Sequence, residues 1–341
     1  MIKITFNIQK LIVTGFVVVV SFCMSGCDKA LDLKDTRPNP VIVFDESWNL
    51  LDQHYALFAI KGVDWDSVYN EYRSQVSSNM TDKALFSLLS SMLATLKDGH
   101  ITLISSNDTA TYENFYKAFP RNFNYDNVLK YYLKNGYSTS GPVIYKINHN
   151  VGYIYYKSFR EDINAEQTDK VLKDLADTKG LIFDIRNNSG GKSDNADAFF
   201  KRFINERKLV KYEVSKKGPG HNDFFEPEAY YISPAGNYYS HPICILTNRA
   251  CFSACNDFAL YMSGLNNASI VGDQTGGGGG IPYDYILANG WKLQYTATTT
   301  LSPKKISIEN GILPTFRVEI TPIDELYGKD PIIEKAFSLL Q

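Results

Sequence analysis

The chain has 341 residues, of which 44% are hydrophobic, enough to bury a sizeable core in two domains or in one large domain with appendages. Its formal net charge of −2 gives no electrostatic basis for binding nucleic acid. The sequence has no internal repeat, no His-Glu-x-x-His segment and no paired Cys-x-x-Cys spacing, so it indicates no metal site.

The first 27 residues have the pattern of a secretory signal. Lys3 and Lys10 precede an almost wholly apolar stretch at 11–24, which is too short and too abruptly ended for a membrane span. Serine and glycine come directly before Cys27, as in a bacterial lipobox, where the cysteine is lipidated and becomes the first mature residue. We predict a lipoprotein signal peptide at 1–27 with Cys27 as the lipid anchor. The alternatives are a plain secreted protein and an uncleaved anchor.

A polar stretch follows, and the periodicity then becomes helical. Residues 28–43 are predicted to tether the folded part to the membrane. Between 44 and 100, apolar residues recur every three to four positions in three runs, which predicts a small helical N-terminal domain. The candidate N-caps of its helices are Asp45, Asp64 and Thr81. Residues 101–150, rich in tyrosine and asparagine, are predicted to be a linker or a small subdomain.

Strand-like and helix-like segments alternate in the remainder, 151–341. Strands are predicted at 151–156, 181–185, 242–246 and 269–271, and helices at 165–176, 196–204, 254–262 and 331–340. Such alternation is typical of crossover units, so we predict an α/β fold with a parallel-rich sheet and flanking helices. Function in such sheets collects at the carboxyl ends of the strands. Two turns are expected there, one at 184–191 and one around Ser253.

Ser253 lies where a predicted strand turns into a predicted helix. The backbone N–H groups that follow are the unpaired donors of a helix N-terminus, which can hold an oxyanion. A hydroxyl at this place is therefore a candidate nucleophile, and its alternative is an ordinary N-cap, for which serine is favoured. Cys251 is the alternative nucleophile. It and the other late cysteines, Cys244 and Cys255, make an odd set that suggests buried hydrophobic side chains and no disulfide framework.

A serine nucleophile needs a base and a group that orients the base. His100 is the best of the five histidines because it follows a glycine at the junction between the helical region and a strand, and its alternative is a surface loop residue. Glu309 and Asp184 are the candidate orienting carboxylates. In the turn at 187–191, Gly190 and Gly191 allow a close backbone approach and could supply oxyanion donors, or could simply close an Asn-Gly turn.

These segments resemble the tail-specific, or C-terminal processing, serine peptidases. The motifs that carry the resemblance are Asp184-x-Arg186-x-Asn188-x-Gly190-Gly191, Thr247-Asn248-x5-Ser253-Ala254, Val271-Gly272-Asp273-x-Thr275-Gly276, Asp98-Gly99-His100 and Glu309-Asn310-Gly311-Ile312-x-Pro314. The last two are similar to the tricorn-core branch, and the helical segment from Phe44 is similar to the N-terminal domain of that branch. The resemblance covers most of the chain after the tether.

The resemblance implies a crotonase-like or ClpP-like catalytic domain at 151–341. It also implies Ser253 as nucleophile, His100 as general base and Glu309 as the group that orients the histidine. The oxyanion hole would be formed by the N–H groups of Ala254 and of Gly190 or Gly191.

The sequence also departs from the family pattern in three places. The glycine run at 276–280 contains no lysine, which excludes the Ser–Lys dyad of one branch. Asn256 stands where the family usually has an acidic residue. Only about fifty residues separate His100 from Val151, too few for a PDZ domain of roughly ninety.

The sequence therefore predicts a lipid-anchored serine endopeptidase of a bacterial cell envelope, on its periplasmic or cell-surface face. It would act on extended or unfolded polypeptides and would need no cofactor or metal. Two alternatives remain: a non-catalytic module that binds peptides or apolar ligands on the same fold, and an esterase that uses the same three residues.

Overall fold

The computed structural model describes residues 38–341, so the predicted signal peptide, Cys27 and most of the predicted tether lie outside the described residues. Four helices open the described chain: α1 (Pro40–His54), α2 (Phe58–Lys61), α3 (Trp65–Arg73) and α4 (Asp82–Ala94). Asp64 and Thr81 cap α3 and α4 with their side chains, as predicted. The prediction of Asp45 as the first cap is wrong, because Asn39 caps α1 and Pro40 occupies its first turn. The helix thus begins inside the stretch predicted as tether.

The segment predicted as a linker contains several short elements. They are β1 (Thr102–Ile104), β2 (Thr109–Thr111), α5 (Asn114–Lys117), α6 (Tyr125–Asn127), a π-helical turn (Val128–Tyr132), β3 (Ser138–Ser140) and β4 (Val143–Asn148). Strands β3 and β4 form an antiparallel hairpin. The hairpin extends the central sheet, so this segment belongs partly to the main fold.

The alternation predicted after residue 150 is present. Its elements are β5 (Val151–Tyr156), α7 (Ala165–Asp174), β6 (Leu181–Asp184), α8 (Ser193–Phe200), β7 (Lys208–Ser215), β8 (Glu228–Ile232), β9 (Ile243–Thr247), α9 (Ala254–Ser263) and β10 (Ala268–Gly272). The antiparallel pair β7 and β8 was not predicted, although glycine and proline turn residues follow both strands, at 218–220 and at 234–236. The remaining elements are β11 (Pro282–Ile286), β12 (Lys292–Thr296), β13 (Thr298–Leu301), β14 (Phe316–Arg317), α10 (Pro322–Leu326) and α11 (Pro331–Leu340).

A seven-stranded sheet in the order β14-β10-β9-β6-β5-β4-β3 forms the centre of the fold. The strands from β14 to β5 are parallel, and β4 and β3 add antiparallel pairs at one edge. One face packs on α7, α8 and α9, and the other packs on α11 and the chain around the π-helical turn. The predicted α/β fold is confirmed. Because β6 and β9 are adjacent and parallel, the turns that follow them meet at one edge.

The N-terminal helices share their hydrophobic core with a later part of the chain. Leu287, Trp291 and Leu293, on and beside the hairpin of β11 and β12, are buried among the side chains of α1, α3 and α4. The same hairpin pairs with β1 in a four-stranded antiparallel sheet, β11-β12-β1-β2. The helical region therefore does not close on itself, and 39–341 forms one compact unit. Within 38–341, no helix has the length and apolar character needed to span a membrane.

Candidate active site

Ser253 lies on the sharp turn between β9 and α9 with φ 58° and ψ −128°, a backbone conformation that is strained for a residue other than glycine. Its N–H donates to the carbonyl of Gly277 at 2.9 Å. Its side chain makes no capping bond to the helix, so the N-cap alternative does not describe it. Instead, its Oγ lies 3.1 Å from Nε2 of His100. The strained turn thus presents the hydroxyl to an imidazole.

The turn after β6 packs directly against the Ser253 turn. Gly190 has φ 88°, and a Cβ added to it would lie 2.9 Å from Cβ of Ser253 and 2.5 Å from the carbonyl oxygen of Phe252. Asn188 holds this turn in place: its Nδ2 donates to the carbonyl of Tyr156 at 2.9 Å, and its own carbonyl accepts from the N–H of Phe252 at 3.2 Å. The close packing of the two turns therefore requires glycine at position 190.

The oxyanion donors differ from each other in their existing contacts. The N–H of Gly190 donates to Oδ1 of Asn188 at 2.9 Å, so it is already occupied in this conformation. Ala254 is the first residue of α9, where a backbone N–H has no acceptor within the helix. Gly191 lines the cleft in front of Ser253. Of the predicted donors, Ala254 and Gly191 are the two that fit the role.

His100 is almost fully buried, and its ring lies 4.6 Å from the ring of Phe252, centroid to centroid. Its backbone N–H donates to Oδ1 of Asp98 at 2.8 Å, which fixes the start of the segment after the helices. Burial lowers the pKa of His100, so the imidazole is neutral near neutral pH and can accept a proton. Among the described residues its Nδ1 has no hydrogen-bond partner.

The predicted hydrogen bond between Glu309 and His100 is not present. The Glu309 carboxylate is buried and instead lies 2.6 Å from Nζ of Lys61, while its Oε2 accepts from the N–H of Gly279 at 2.8 Å. Burial, with a smaller effect of Asp98, raises the pKa of Glu309 to about 7. The paired Lys61 ammonium acts on His100 in turn and lowers its pKa. Glu309 therefore acts on the imidazole only electrostatically, through the buried ion pair that it forms with Lys61.

The sequence did not indicate the roles of two residues around His100 and Glu309, namely Lys61 and Asp98. Lys61 ends α2, and no local pattern distinguishes it from a surface lysine. Asp98 is part of the motif Asp98-Gly99-His100, which does not indicate the contacts of its carboxylate. Its Oδ2 accepts from Oη of Tyr55 at 3.1 Å and from Oγ1 of Thr296 at 3.0 Å. Its Oδ1 accepts from the N–H of His100, and an aspartate two residues before a histidine is a pattern that can indicate such an Asx-type contact.

The other two candidates from the sequence have structural contacts instead. The Asp184 carboxylate is buried against Arg186, with Nη2 of Arg186 at 2.6 Å, and accepts from Oη of Tyr153 at 2.8 Å, so it does not orient His100. Cys251 is fully buried, and its thiol donates to the carbonyl of Ile185 at 3.0 Å. It does not face the cleft, which excludes it as the nucleophile here. Cys244, Cys251 and Cys255 are all free and buried, as predicted.

Ser253 and His100 lie in the wall of an open cleft with a volume of about 980 Å³. The segment predicted as a linker forms part of this wall: Phe115 stacks on Phe252 at 4.4 Å, and Phe119 lies 4.2 Å from the guanidinium of Arg249. A nucleophile, a neutral base and free backbone donors beside such a cleft are the groups required for acyl transfer.

Comparison with known proteins finds two family matches. Residues 150–318 match peptidase family S41, and residues 42–94 match the tricorn protease C1 domain. The chain is similar to the carboxy-terminal processing protease CtpB of Bacillus subtilis, with 25% identity over 174 residues that cover 50% of this chain and 34% of the relative. It is also similar to a probable CtpA-like serine protease of Staphylococcus aureus, with 31% identity over 182 residues that cover 52% of this chain and 35% of the relative. The chain thus spans about a third of the length of these curated relatives.

A solved structure extends the similarity over nearly the whole described chain. It is the crystal structure of a putative peptidase from Parabacteroides merdae, which matches with a TM-score of 0.86 and 40% sequence identity. The match covers 89% of this chain and 97% of that one. The predicted resemblance is confirmed, and the chain belongs to peptidase family S41.

Proposed function

We propose that this chain is a serine endopeptidase that cleaves extended or unfolded polypeptides through an acyl-enzyme. The observation that carries the proposal is the 3.1 Å contact between Oγ of Ser253 and Nε2 of His100 at the wall of the cleft. The strained backbone of Ser253 supports it, since an N-cap serine would need neither that conformation nor a histidine partner.

In the proposed mechanism, Oγ of Ser253 attacks the carbonyl carbon of the scissile peptide bond while Nε2 of His100 takes the hydroxyl proton. The N–H groups of Ala254 and Gly191 donate to the oxyanion of the tetrahedral intermediate. His100 then returns the proton to the leaving amine, and the C–N bond breaks to give the acyl-enzyme. In the second half of the reaction His100 takes a proton from water, and the water oxygen attacks the ester carbonyl carbon. The C–Oγ bond then breaks while His100 returns the proton to Oγ of Ser253, which releases the carboxylic acid product.

The proposed role of Glu309 differs from the one that the resemblance implies. The resemblance assigns it to the orientation of His100, but its contacts support an electrostatic role in which its charge balances that of Lys61. With Lys61 neutralised, the imidazolium formed during attack costs less free energy. Glu309 is thus proposed to act on the base through Lys61, as a positioning and charge-balancing residue.

We further propose that the protein is held in the cell envelope by a lipid on Cys27. The signal-like residues at 1–24 and the small residues Ser25 and Gly26 directly before Cys27 support this anchor. Incorporation of labelled palmitate into the full chain, lost on Cys27→Ser, is the expected result. Equal incorporation by both forms would overturn the anchor but leave the peptidase proposal intact.

The peptidase proposal is tested by labelling the purified full chain with a fluorophosphonate, which reacts with an activated serine hydroxyl. We expect the wild type to be labelled and both Ser253→Ala and His100→Ala to be unlabelled. Cys251→Ala, a buried neighbour outside the cleft, is the matched control and should keep the label. A folded wild type that takes no label would overturn hydrolase chemistry.

The absent hydrogen bond between Glu309 and His100 is the one observation that favours the non-catalytic binding module. In that case the cleft would bind peptides, and the fluorophosphonate would not react. If the serine is labelled, turnover of peptide substrates against ester substrates then separates a peptidase from an esterase.

A further inference from the structure

The imidazole of His100 meets Ser253 on one side, but no protein group in the described part of the chain hydrogen-bonds to its other nitrogen. Its Nε2 lies 3.1 Å from Oγ of Ser253, whereas its Nδ1 is buried without a partner among residues 38–341. A general base needs a fixed ring, because a small displacement from the reacting hydroxyl costs much of its effect. Contacts other than a hydrogen bond to Nδ1 must therefore hold the ring in place.

Two phenylalanine rings stack beside the imidazole. The ring of Phe252 lies 4.6 Å from that of His100, centroid to centroid, and the ring of Phe115 stacks on Phe252 at 4.4 Å with 28° between the planes. Such aromatic pairs attract each other beyond the effect of apolar burial alone. Phe252 directly precedes Ser253, whereas Phe115 lies on α5, far away along the chain. The stack therefore links the imidazole to a segment outside the two turns of the site.

Three glycines leave the space that the two rings occupy. A Cβ added to Gly99 would lie 2.5 Å from Cε1 of Phe115 and 2.9 Å from Cζ of Phe252. A Cβ added to Gly276 would lie 2.8 Å from Cδ2 of Phe115, and one added to Gly278 would lie 2.4 Å from Cζ of Phe252. The backbone at these positions thus packs directly on the rings, which restricts their movement.

The same rings lie between two cavities. Gly99, Phe115 and Phe252 line both the cleft of about 980 Å³ and a second cavity of about 410 Å³. Lys61 and Glu309 also line the second cavity. Removal of the Phe115 ring would open this partition, so that Phe252 could move and water could reach the imidazole.

We propose that Phe115 is a positioning residue for the general base, because its ring holds Phe252 against the imidazole of His100 and so keeps Nε2 in contact with the hydroxyl of Ser253. The aromatic stack takes the place of a hydrogen bond to Nδ1. Phe115 acts through Phe252 and does not itself contact the reacting atoms. This inference rests on the proposed peptidase function, since it concerns the same base.

The first measurement is the rate of fluorophosphonate labelling of the full chain at alkaline pH. Phe115→Ala should lower this rate by about threefold to tenfold, which corresponds to the loss of one aromatic pair. Phe115→Tyr keeps the flat ring and should keep most of the wild-type rate. Phe225→Ala is the matched control, since Phe225 is exposed and its ring lies beside Lys217, outside the lining of the cleft. It should not change the rate.

The position of the imidazole is observed separately, by NMR of the full chain with isotopically labelled histidine rings. The Cε1–H signal of His100 is identified by its absence from His100→Ala. Because an aromatic ring lies beside this imidazole, the chemical shift should change in Phe115→Ala and should remain near the wild-type value in Phe115→Tyr. The signals of the other histidines should not move.

Phe115→Ala should also change the pH dependence of labelling. Burial lowers the pKa of His100, and among the charged groups that act on it Asp98 and Asp257 raise this pKa whereas Lys61 lowers it. None of these charges is altered in the variant, so access of water should raise the pKa towards its ordinary value. The decline of the labelling rate with falling pH should therefore begin at a higher pH than in the wild type.

Thermal unfolding of each variant checks that the fold is kept. If Phe115→Ala unfolds, Phe115→Leu takes its place with the same expectations, since leucine keeps apolar volume but has no flat ring. Three results would overturn the inference: the wild-type labelling rate in the folded variant, an unchanged His100 signal, or an equal loss of rate in Phe115→Tyr.

Labelling of the wild type separates this failure from that of the proposed function. A labelled wild type whose rate and His100 signal do not depend on Phe115 overturns only the positioning role. An unlabelled wild type overturns the peptidase, and the His100 signal of Phe115→Ala then still shows whether the stack holds the ring.

Discussion

His100 contacts a hydroxyl and is influenced by the charge of a buried ion pair. Its Nε2 lies 3.1 Å from Oγ of Ser253, and the ion pair joins the ammonium of Lys61 to the carboxylate of Glu309. Burial and the charge of Lys61 both lower the pKa of His100, whereas Asp98 raises it by less than burial lowers it. The basicity of the imidazole therefore depends on whether the charge of Lys61 is balanced.

The first prediction concerns the protonation of His100. Its pKa lies below the ordinary 6.5, and the protonated imidazole cannot accept the serine proton. The rate of fluorophosphonate labelling should therefore fall as the pH drops through this lowered pKa and should not fall as the pH rises above it. Labelling rates between about pH 5 and about pH 9 check this, because only His100 among these groups must be neutral for attack. A rate that is constant down to the acid end would contradict it.

The second prediction concerns Glu309, whose pKa burial raises to about 7. Glu309→Gln removes the charge that balances Lys61, so the imidazolium becomes less stable. The labelling rate at alkaline pH should fall by about tenfold, as expected for one charge several ångströms away at an effective dielectric constant of about 20. In the wild type a first decline of the labelling rate should begin as the pH falls through about 7, where Glu309 takes up a proton, and the decline caused by protonation of His100 should follow at lower pH.

Two variants control this experiment. Glu206→Gln removes an exposed carboxylate whose ion pair with Lys208 lies at the surface, and it should not change the rate. Adding Lys61→Met to Glu309→Gln should restore part of the rate, because the unbalanced charge is then gone. A Glu309→Gln enzyme with the wild-type rate and pH profile would show that the ion pair has no catalytic effect.

At the scale of elements, the site exists because two parallel strands end side by side. Strands β6 and β9 pair in register, and the turns that follow them pack so closely that only glycine fits at position 190. A third segment closes the arrangement: Nδ2 of Asn256 on α9 donates to the carbonyl of Ile308 at 3.1 Å, and its Oδ1 accepts from Oγ1 of Thr275 at 2.6 Å. The residue that replaces the usual acidic group of the family thus ties α9 to the chain that carries Glu309.

The third prediction tests this close packing with Gly190→Ala. The added Cβ would lie 2.5 Å from a carbonyl oxygen and would also carry the cost of a positive φ. Gly62→Ala is the matched control, since Gly62 has φ 64° with nothing within 4 Å of the added Cβ. Gly62→Ala should lower the free energy of unfolding by about 1 kcal/mol, and Gly190→Ala by about 1 to 3 kcal/mol more. Urea unfolding measures both values.

Gly190→Ala should also abolish fluorophosphonate labelling, because the overlap displaces the turn that carries Ser253 and the proposed oxyanion donors Ala254 and Gly191. Gly62→Ala should keep the labelling. An equal loss of unfolding free energy in the two alanine variants, with both still labelled, would show that the close packing at Gly190 is not required to position Ser253.

On the scale of the whole molecule, one buried ion cluster joins the sheet to the C-terminal helix. The guanidinium of Arg186 is bound by Asp184 at the end of β6 and, at 2.8 Å, by Asp330, which caps α11. It also donates to the carbonyl of Asn122 at 3.2 Å, beside the segment that forms the cleft wall. All its charges are buried, so each depends on the others for compensation.

The fourth prediction follows from that dependence. Arg186→Met leaves two carboxylates buried without their cation and should lower the free energy of unfolding by about 3 to 5 kcal/mol. Arg207→Met removes an exposed arginine and should change it by less than about 0.5 kcal/mol. Denaturant titration of the two variants compares the effects. A loss for Arg186→Met no larger than that of the control would mean that the cluster contributes nothing to stability.

The local sequence by itself determined the alternation of strands and helices after residue 150 apart from β7 and β8, the caps at Asp64 and Thr81, and the place of Ser253 at a strand-to-helix turn. These features depend on side-chain periodicity and on backbone preferences that act over a few residues, so a single segment contains them.

Only the tertiary structure decided which side chains surround His100. Lys61, Asp98 and Glu309 come from three distant segments, and the position of each depends on the packing of the helices against the hairpin of β11 and β12. The local sequence around a carboxylate does not show whether the group is buried beside a lysine or exposed to water. Their difference lies in burial and distance, which the folded chain alone creates.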